Sequence, residues 1–346
     1  MRPVKVFMVD DSAVILGIVG RLLKNKYQIE IVGTARNGRE ALERIPAANP
    51  DVVVLDVEMP VLDGLRTLEE LMRVKPLPVV MLSAHTRAGS KATIDALALG
   101  AVDFVPKPAV PSQLAGMLDE LAEKINVAAG TPAVSVASVV PTRPGLMKGT
   151  RIVTRQVEAV VIGCSTGGPA ALRVILPFLP KDLGVPVVVV QHMPKGFTAA
   201  LADHMGQICS MDVKHAENGE MLRPGLILVA PAGLEFRLRR DGTRVRALVQ
   251  ASDVPLAPGG FRPSVDTVMK DFATVYAART LGVLLTGMGR DGAEGMRAIK
   301  KAGGHTIAQN RETCVVYGMP KAAVDAKAVD HVFPLSEIAG QITLLV

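Results

Sequence analysis

The sequence has few aromatic residues and no long hydrophobic run. It contains no Trp and three Tyr among 346 residues, which argues against a surface that binds nucleic acid by stacking bases on aromatic rings. No apolar run reaches the roughly 18 residues that a membrane-spanning helix needs. The first apolar stretch is too short for a signal peptide and has acidic residues within it. We therefore expect a cytoplasmic protein with no nucleic-acid partner and no membrane insertion.

Cysteine is scarce as well. Cys164, Cys209 and Cys314 are scattered and odd in number, which is typical of a protein in a reducing compartment and not of a disulfide framework. The composition is otherwise that of an ordinary globular protein, with 49% hydrophobic and 21% charged residues. The length allows two domains, each with its own core.

The first 126 residues alternate between buried-strand and amphipathic-helix patterns. The apolar runs are Val4–Val9, Ile29–Val32, Val52–Leu55, Val79–Leu82 and Val102–Val105. Between them, stretches such as Ala13–Leu23 and Arg39–Ile45 carry apolar residues at helical spacing. This alternation predicts an α/β domain built on a doubly wound parallel sheet, spanning residues 1–126.

A second α/β domain is predicted after a linker. Residues 127–155 are rich in small residues, Pro, Gly, Ser and Thr, which predicts a flexible linker. Strand and helix patterns resume in residues 156–346, which predicts another doubly wound, mainly parallel sheet. Its buried runs are Ala159–Ile162, Val185–Val190, Leu226–Val229 and Leu281–Leu285. Within Glu235–Leu248, apolar and basic residues alternate around Asp241-Gly242, which predicts a small antiparallel hairpin.

Polar residues follow four of the runs in the first domain. Asp10 and Asp11 follow the first run and Asp56 follows the third. Because the carboxyl ends of parallel strands share one edge of a sheet, these carboxylates are expected to converge, and hard oxygen ligands suit Mg²⁺. Ser83 ends the fourth run and Lys107 follows the fifth. A hydroxyl and an ammonium at this edge can bind a phosphoryl group carried by Asp56.

This segment resembles the receiver domains of two-component response regulators. The resemblance implies a flavodoxin-like fold in which Asp56 is the phosphoacceptor. It also implies a Mg²⁺ site formed by Asp10, Asp11, Asp56 and the backbone carbonyl of Glu58.

The same resemblance assigns the residues that respond to phosphorylation. Ser83 and Lys107 match the hydroxyl and the lysine of the family. Phe104 matches the position of its rotameric aromatic switch, and the bond Lys107-Pro108 matches its usual cis-peptide candidate.

A candidate nucleophile opens the second domain. The segment Gly163–Gly167 fits G-x-S-x-G directly after an apolar run, and glycines on both sides of Ser165 permit the strained turn that lifts a serine above the sheet edge. The helix that follows supplies backbone N–H groups for an oxyanion. Cys164 is a rival nucleophile, less favoured because its side chain should point away from that of its neighbour. A phosphate-binding loop is the other alternative, but the usual glycine-rich nucleotide signatures are missing.

Two further residues follow buried runs of this domain. His192 follows the most apolar run, and Asp291 lies in the loop after a later one. Together with Ser165 they can converge on one sheet edge, as a Ser-His-Asp relay requires. The histidines without such placement are His204, His215, His305 and His331. The chain order serine, histidine, acid differs from that of α/β-hydrolases. We therefore expect a fold other than the α/β-hydrolase fold, with the three residues on a Rossmann-like sheet.

From Glu158 onward the sequence resembles the catalytic domain of chemotaxis protein-glutamate methylesterases. The segments that carry the resemblance are GCSTGGP, QHMP, FTAALADHM, FRPSVD, LLTGMGRDGAEG and AQNRETCVVYGMPKAA. It implies that Ser165 is the nucleophile, His192 the general base and acid, and Asp291 the orienting carboxylate. It further implies that the backbone N–H of Met288 helps to bind the oxyanion.

The two resemblances together imply a phosphorylation-activated hydrolase. It would remove γ-methyl esters from glutamates on the cytoplasmic helices of chemoreceptors, and deamidate particular glutamines there, to give sensory adaptation. A chemotaxis histidine kinase would be the phosphodonor, and ester hydrolysis would need no cofactor. We expect a monomer.

Two other functions of the second domain are the alternatives. One is DNA binding, which the strand-rich pattern disfavours, and the other is nucleotide binding with GCSTGG as a phosphate-binding loop.

Overall fold

The protein folds into two compact α/β units. A computed structural model describes residues 2–84, 86–131, 157–256 and 260–346. Residues 127–129 of the predicted linker belong to the last helix of the first unit, and its residues 132–155 lie outside the described part of the chain. Among the described residues, no helix combines the length and the apolar character that crossing a membrane requires.

The first unit is a five-stranded parallel sheet covered by helices. Its strands are β1 (Val4–Val9), β2 (Ile29–Ala35), β3 (Val52–Asp56), β4 (Val79–Ser83) and β5 (Asp103–Pro106). Its helices are α1 (Ala13–Tyr27), α2 (Gly38–Ala48), α3 (Gly64–Val74), α4 (Arg87–Leu99) and α5 (Leu114–Ala129). The strand order is β2-β1-β3-β4-β5 with every pairing parallel, so the predicted doubly wound sheet is confirmed.

The starts of several helices are set by side-chain caps. The side chains of Ser12, Asn37 and Asp63 accept hydrogen bonds from backbone N–H groups in the first turns of α1, α2 and α3. The strand order reverses between β1 and β3, and ligands of such sheets bind at this switch point, beyond the carboxyl ends of the strands. Asp10 and Asp56 lie at these two strand ends.

The second unit has a seven-stranded parallel sheet and a separate two-stranded hairpin. Its strands are β6 (Ala159–Cys164), β7 (Val187–Gln191), β8 (Asp212–His215), β9 (Leu226–Val229), β10 (Glu235–Asp241), β11 (Arg244–Gln250), β12 (Thr280–Leu284), β13 (His305–Gln309) and β14 (His331–Phe333). Its helices are α6 (Gly168–Ile175), α7 (Phe197–Ile208), α8 (Val265–Tyr276), α9 (Ala293–Lys301), α10 (Met319–Asp325) and α11 (Leu335–Leu345). The order of the large sheet is β14-β13-β12-β6-β7-β9-β8. The switch point of this sheet lies between β6 and β12. The strands β7, β8 and β9, which follow β6 in sequence, lie on one side of this point, and β13 and β14, which follow β12, lie on the other.

The structure differs from the sequence prediction at the margins of this sheet. The antiparallel hairpin is confirmed, but Asp241 pairs with Arg244, so the two turn residues are Gly242 and Thr243 instead of Asp241 and Gly242. The strands β8, β13 and β14 have no counterpart in the predicted runs. β8 and β14 are short edge strands with exposed residues, and β13 carries buried polar side chains that break the apolar pattern. One of these, Thr306, is paired with Asp330.

Candidate active site

The three predicted catalytic residues lie beyond the carboxyl ends of three adjacent strands. Ser165 follows β6 and His192 follows β7, and the backbone N–H of His192 donates to the carbonyl of Cys164 at 3.0 Å. Asp291 lies in the loop after β12, which pairs with the other side of β6. The order of the sheet therefore brings these distant parts of the chain to one edge.

The Ser165 turn is held by backbone contacts. The N–H of Ser165 donates to the carbonyl of Thr286 at 3.0 Å, and its carbonyl accepts from the side chain of Gln191 at 2.9 Å. Gly167 has a φ of +76°, a left-handed conformation that a side chain would strain. Ser165 is 7% exposed, so most of this residue is covered by the surrounding chain.

His192 and Asp291 form a direct pair across 99 residues of sequence. The Nε2 atom of His192 lies 2.9 Å from Oδ2 of Asp291, and the imidazole is 3% exposed. An ionised carboxylate can only accept, so Nε2 donates and Nδ1 remains as the acceptor of the neutral ring. Within the described parts of the chain, no hydrogen bond joins the imidazole to the hydroxyl of Ser165.

The carboxylate of Asp291 is saturated with donors. Oδ2 accepts from the N–H of Val265 at 2.7 Å in addition to His192. Oδ1 accepts from Ser264 Oγ at 2.9 Å, Asp266 N at 2.9 Å and Gly292 N at 3.0 Å. Burial raises the pKa of this carboxyl, but the hydrogen bonds from His192 and the backbone outweigh it and lower the pKa to about 2. Asp291 is therefore ionised across the neutral range.

The rival nucleophile Cys164 lies in a different environment. Its thiol is fully buried and donates to Oε1 of Gln191 at 3.0 Å. Burial also raises its pKa far above the neutral range, so the reactive thiolate is absent. Of the two neighbouring side chains, the geometry favours Ser165 as a nucleophile.

Met288 lies beside the Ser165 turn. A Cβ atom added to its neighbour Gly287 would be 2.8 Å from Cβ of Ser165, so the two backbones nearly touch. No residue of the described chain accepts a hydrogen bond from the N–H of Met288. This donor remains available for an oxygen atom of a substrate.

In the first unit, three predicted metal ligands lie together. Asp10 and Asp56 are buried, Asp11 is exposed, and carboxylate oxygens of the three lie within 4.8 Å of one another. Nζ of Lys107 lies 2.8 Å from one oxygen of Asp10 and 2.8 Å from one of Asp56. Burial raises the pKa of Asp56 to about 6, although Lys107 opposes the shift. Three converging carboxylates are an oxygen-rich donor set that fits a divalent cation.

The remaining predicted residues of this unit lie on β4, on β5 and just after β3. Ser83 is buried at the end of β4 and accepts a hydrogen bond from the hydroxyl of Thr93 at 2.6 Å. Phe104 is buried, and its carbonyl accepts from Nζ of Lys124 at 2.6 Å. The backbone N–H of Glu58 donates to Oδ1 of Asp56 at 3.4 Å.

One prediction about this unit is wrong. The bond between Lys107 and Pro108 is trans, and among the described residues the cis bond before a proline is Arg262–Pro263.

Comparison with known proteins identifies the second unit. A family model described as CheB methylesterase matches residues 160–342, more than half of the chain. The chain belongs to the CheB methylesterase family. A second model, the response regulator receiver domain, matches residues 6–119. Both resemblances inferred from sequence motifs are therefore confirmed.

Members of this family resemble the chain over its whole length. A protein-glutamate methylesterase/protein-glutamine glutaminase 1 of Carboxydothermus hydrogenoformans is 48% identical over 99% of both chains. One from Archaeoglobus fulgidus is 42% identical over 98% of this chain and 97% of its own. The solved catalytic domain of the Thermotoga maritima CheB methylesterase is 41% identical, with a TM-score of 0.53, and covers 55% of this chain and 100% of that one.

The CheB methylesterase unit contains contacts that motif analysis missed. The buried side chain of Gln191 donates to the carbonyls of Ser165 and His192 at 2.9 and 2.8 Å. The signal for it was a glutamine at the end of an otherwise apolar strand. The ring of Phe261 stacks on the imidazole of His192, and Ser264 binds Asp291. Both belong to the FRPSVD segment, whose spacing alone gives no indication of these partners.

We expect Asp291→Asn to impair both activity and stability in this CheB methylesterase. Both carboxylate oxygens of Asp291 accept hydrogen bonds from backbone N–H groups. The NH₂ group of an asparagine would replace one of these oxygens in either orientation and would face a donor. The unpaired donors should lower the stability of the fold by about 2–4 kcal/mol. The lost negative charge beside His192 should lower the rate by about 10⁴. Denaturant unfolding and methanol release measure the two effects.

Asp271→Asn is the control for this substitution, since Asp271 on α8 pairs with Arg237 on β10, away from the catalytic residues. It should lower stability slightly and leave the rate unchanged.

The pKa of Asp291 is lower in the folded state than its ordinary value of 3.8. The ionised carboxylate therefore stabilises the fold above pH 3.8, and this stabilisation is lost as the pH falls toward about 2. A wild type and an Asp291→Asn variant that lose stability equally on acidification would contradict this account.

Proposed function

We propose that the chain is a phosphorylation-activated esterase that hydrolyses glutamate γ-methyl esters on the cytoplasmic helices of chemoreceptors. The observation that carries the proposal is the 2.9 Å contact between His192 and Asp291, at the same sheet edge as Ser165. This sheet belongs to the unit that the CheB methylesterase family model matches. The proposed residues are Ser165 as nucleophile, His192 as general base and acid, and Asp291 as orienting carboxylate. The names of the similar proteins support both the ester and the glutamine substrate.

The first half of the proposed reaction forms an acyl-enzyme. Oγ of Ser165 attacks the ester carbonyl carbon while Nδ1 of His192 takes the hydroxyl proton, because Nε2 is already engaged by Asp291. The negative charge of Asp291 stabilises the imidazolium that results. The oxyanion accepts a hydrogen bond from the N–H of Met288. The first two residues of α6 do not contribute, because the N–H of Gly168 already donates to the carbonyl of Ser165 at 2.7 Å and Pro169 has no N–H.

Collapse of the tetrahedral intermediate completes the acyl-enzyme, and hydrolysis of the acyl-enzyme then restores the serine. The imidazolium gives its proton to the methoxy oxygen, the C–O bond breaks, and methanol leaves. His192 then takes a proton from water, whose oxygen attacks the acyl carbon, and the proton returns to Ser165 as glutamate leaves. With a glutamine substrate the same steps release ammonia. We propose that no cofactor takes part in this chemistry.

The proposed activity is tested with the full chain and a purified, methylated cytoplasmic domain of a chemoreceptor. We expect methanol to form in step with a loss of about 14 Da per site in the receptor, since each ester becomes an acid. The release should persist after all nucleotide is removed, which separates this activity from a nucleotide-dependent output. Hydrolysis of unrelated esters without any release from methylated receptor would contradict the proposal.

The first unit is proposed to control this activity through Asp56. Asp10, Asp11, Asp56 and the carbonyl of Glu58 would hold Mg²⁺, which when bound offsets the charge of the carboxylates and of an incoming phosphoryl group. Lys107 would pair with the phosphoryl group on Asp56, and Ser83 would donate to it. Phe104 would change rotamer in response. We propose that a chemotaxis histidine kinase is the phosphodonor and that the protein acts in the cytoplasm as a monomer.

We expect acetyl phosphate with Mg²⁺ to raise the esterase rate about 5- to 150-fold, the range of a coupling of about 1–3 kcal/mol. The rate of Asp56→Asn should not respond, because the amide cannot form the acyl phosphate. Glu30→Gln is the matched control, an exposed carboxylate on β2 away from the cluster, and should respond like the wild type. Activation that survives in Asp56→Asn or in the presence of EDTA would be inconsistent with this scheme.

A further inference from the structure

The imidazole of His192 has an aromatic ring lying flat against it. The ring centroids of His192 and Phe261 are 4.3 Å apart and the planes differ by 8°. The imidazole is 3% exposed, whereas Phe261 is 42% exposed. Phe261 therefore keeps water from one face of the histidine at the expense of leaving a large apolar side chain partly in solvent.

The segment that carries Phe261 is fixed at two positions that follow it, Arg262 and Ser264. Arg262 follows it directly, forms an ion pair with Glu235 at 2.8 Å, and accepts at its carbonyl from the N–H of Gly233 at 2.7 Å. Ser264 donates to Asp291, the carboxylate that also binds His192. The stack and these hydrogen bonds thus connect the segment to the imidazole at its face and, through Asp291, at its edge.

We propose that Phe261 is a positioning residue for His192. The aromatic face restricts rotation and tilt of the imidazole, so that Nε2 stays on Asp291 and Nδ1 is the nitrogen left to take the proton of Ser165. It also stabilises the imidazolium that forms when Ser165 is deprotonated, because a cation is attracted to an aromatic face. The inference rests on the proposed roles of Ser165, His192 and Asp291.

An exposed phenylalanine beside an active site has another possible role, contact with the helix of the substrate. The two roles differ in their response to a small reagent. Diisopropyl fluorophosphate forms a bond between phosphorus and Oγ of Ser165, fluoride leaves, and the hydroxyl proton passes to His192. This reagent does not contact a receptor-binding surface, so its rate reports the activation of Ser165 alone.

The experiment measures the diisopropylphosphoryl group added to the full chain by mass spectrometry, with methanol release from methylated receptor measured in parallel. We expect Phe261→Ala to slow both reactions about 10-fold at unchanged KM for the receptor, the upper range for an aromatic pair. Phe261→Tyr keeps the ring and should stay within about 2-fold of the wild type. Phe261→Leu keeps most of the volume without the aromatic face and should resemble Phe261→Ala.

The matched control is Phe178→Ala, since Phe178 is 45% exposed and lies beyond the far end of α6. Its rates should equal those of the wild type, and thermal unfolding of each variant shows that the fold is retained. A Phe261→Ala variant that reacts normally with the reagent but has a raised KM for the receptor would overturn the proposal. If the proposed function is wrong, the result is different. The wild type then releases no methanol from the receptor, independently of how the Phe261 variants react with the reagent.

Discussion

Ser165→Ala should lower methanol release by about 10⁴ to 10⁶ and leave the fold intact. The loss is large because the hydroxyl is the atom that forms the acyl-enzyme. The fold should persist because the turn is held by backbone contacts to Thr286 and Gln191, which alanine retains. Methanol release under single-turnover conditions and thermal unfolding measure the two quantities.

Cys164→Ala is the control for the neighbouring side chain. Its thiol is fully buried and bonded to Gln191, so its loss should affect stability more than rate. A Ser165→Ala variant that retains more than about a tenth of the wild-type rate would mean that another residue is the nucleophile, since loss of a relay member costs far more.

His192→Ala should be nearly as severe as Ser165→Ala. Without the imidazole no base takes the proton of Ser165, and the negative charge of Asp291 loses its partner. Because the residues act as a unit, the double variant of Ser165 and His192 should be scarcely slower than either single variant. Single-turnover rates of the three variants test this.

His215→Ala is a suitable control, since His215 contacts Thr198 and ends β8, the outermost strand of its side of the sheet and three strands away from β6. Its rate should be close to that of the wild type. Losses that multiply in the double variant of Ser165 and His192 would show that the two residues act independently, and the relay would have to be abandoned.

Most of the framework was predictable from the sequence. Buried parallel strands are continuous apolar runs, so β1, β3, β4, β6 and β9 were found within a residue or two of their ends. The strands β8 and β14 escaped detection because an edge strand has one neighbour and tolerates polar residues. The trans bond before Pro108 also differs from the expectation, which came from resemblance and not from local chemistry.

The sequence by itself determined which residues stand at the carboxyl ends of strands. A polar residue directly after an apolar run, as in Ser165, His192 and Asp56, is placed at the sheet edge by the period and length of the strand alone.

Only the tertiary structure decided what these residues contact. That Nε2 of His192 is the nitrogen on Asp291, that Gln191 links the carbonyls of two strand ends, and that Phe261 covers the imidazole all depend on side-chain directions. Such contacts join residues that lie far apart in the chain. Strand order and helix packing determine them, and no local pattern of residues records either.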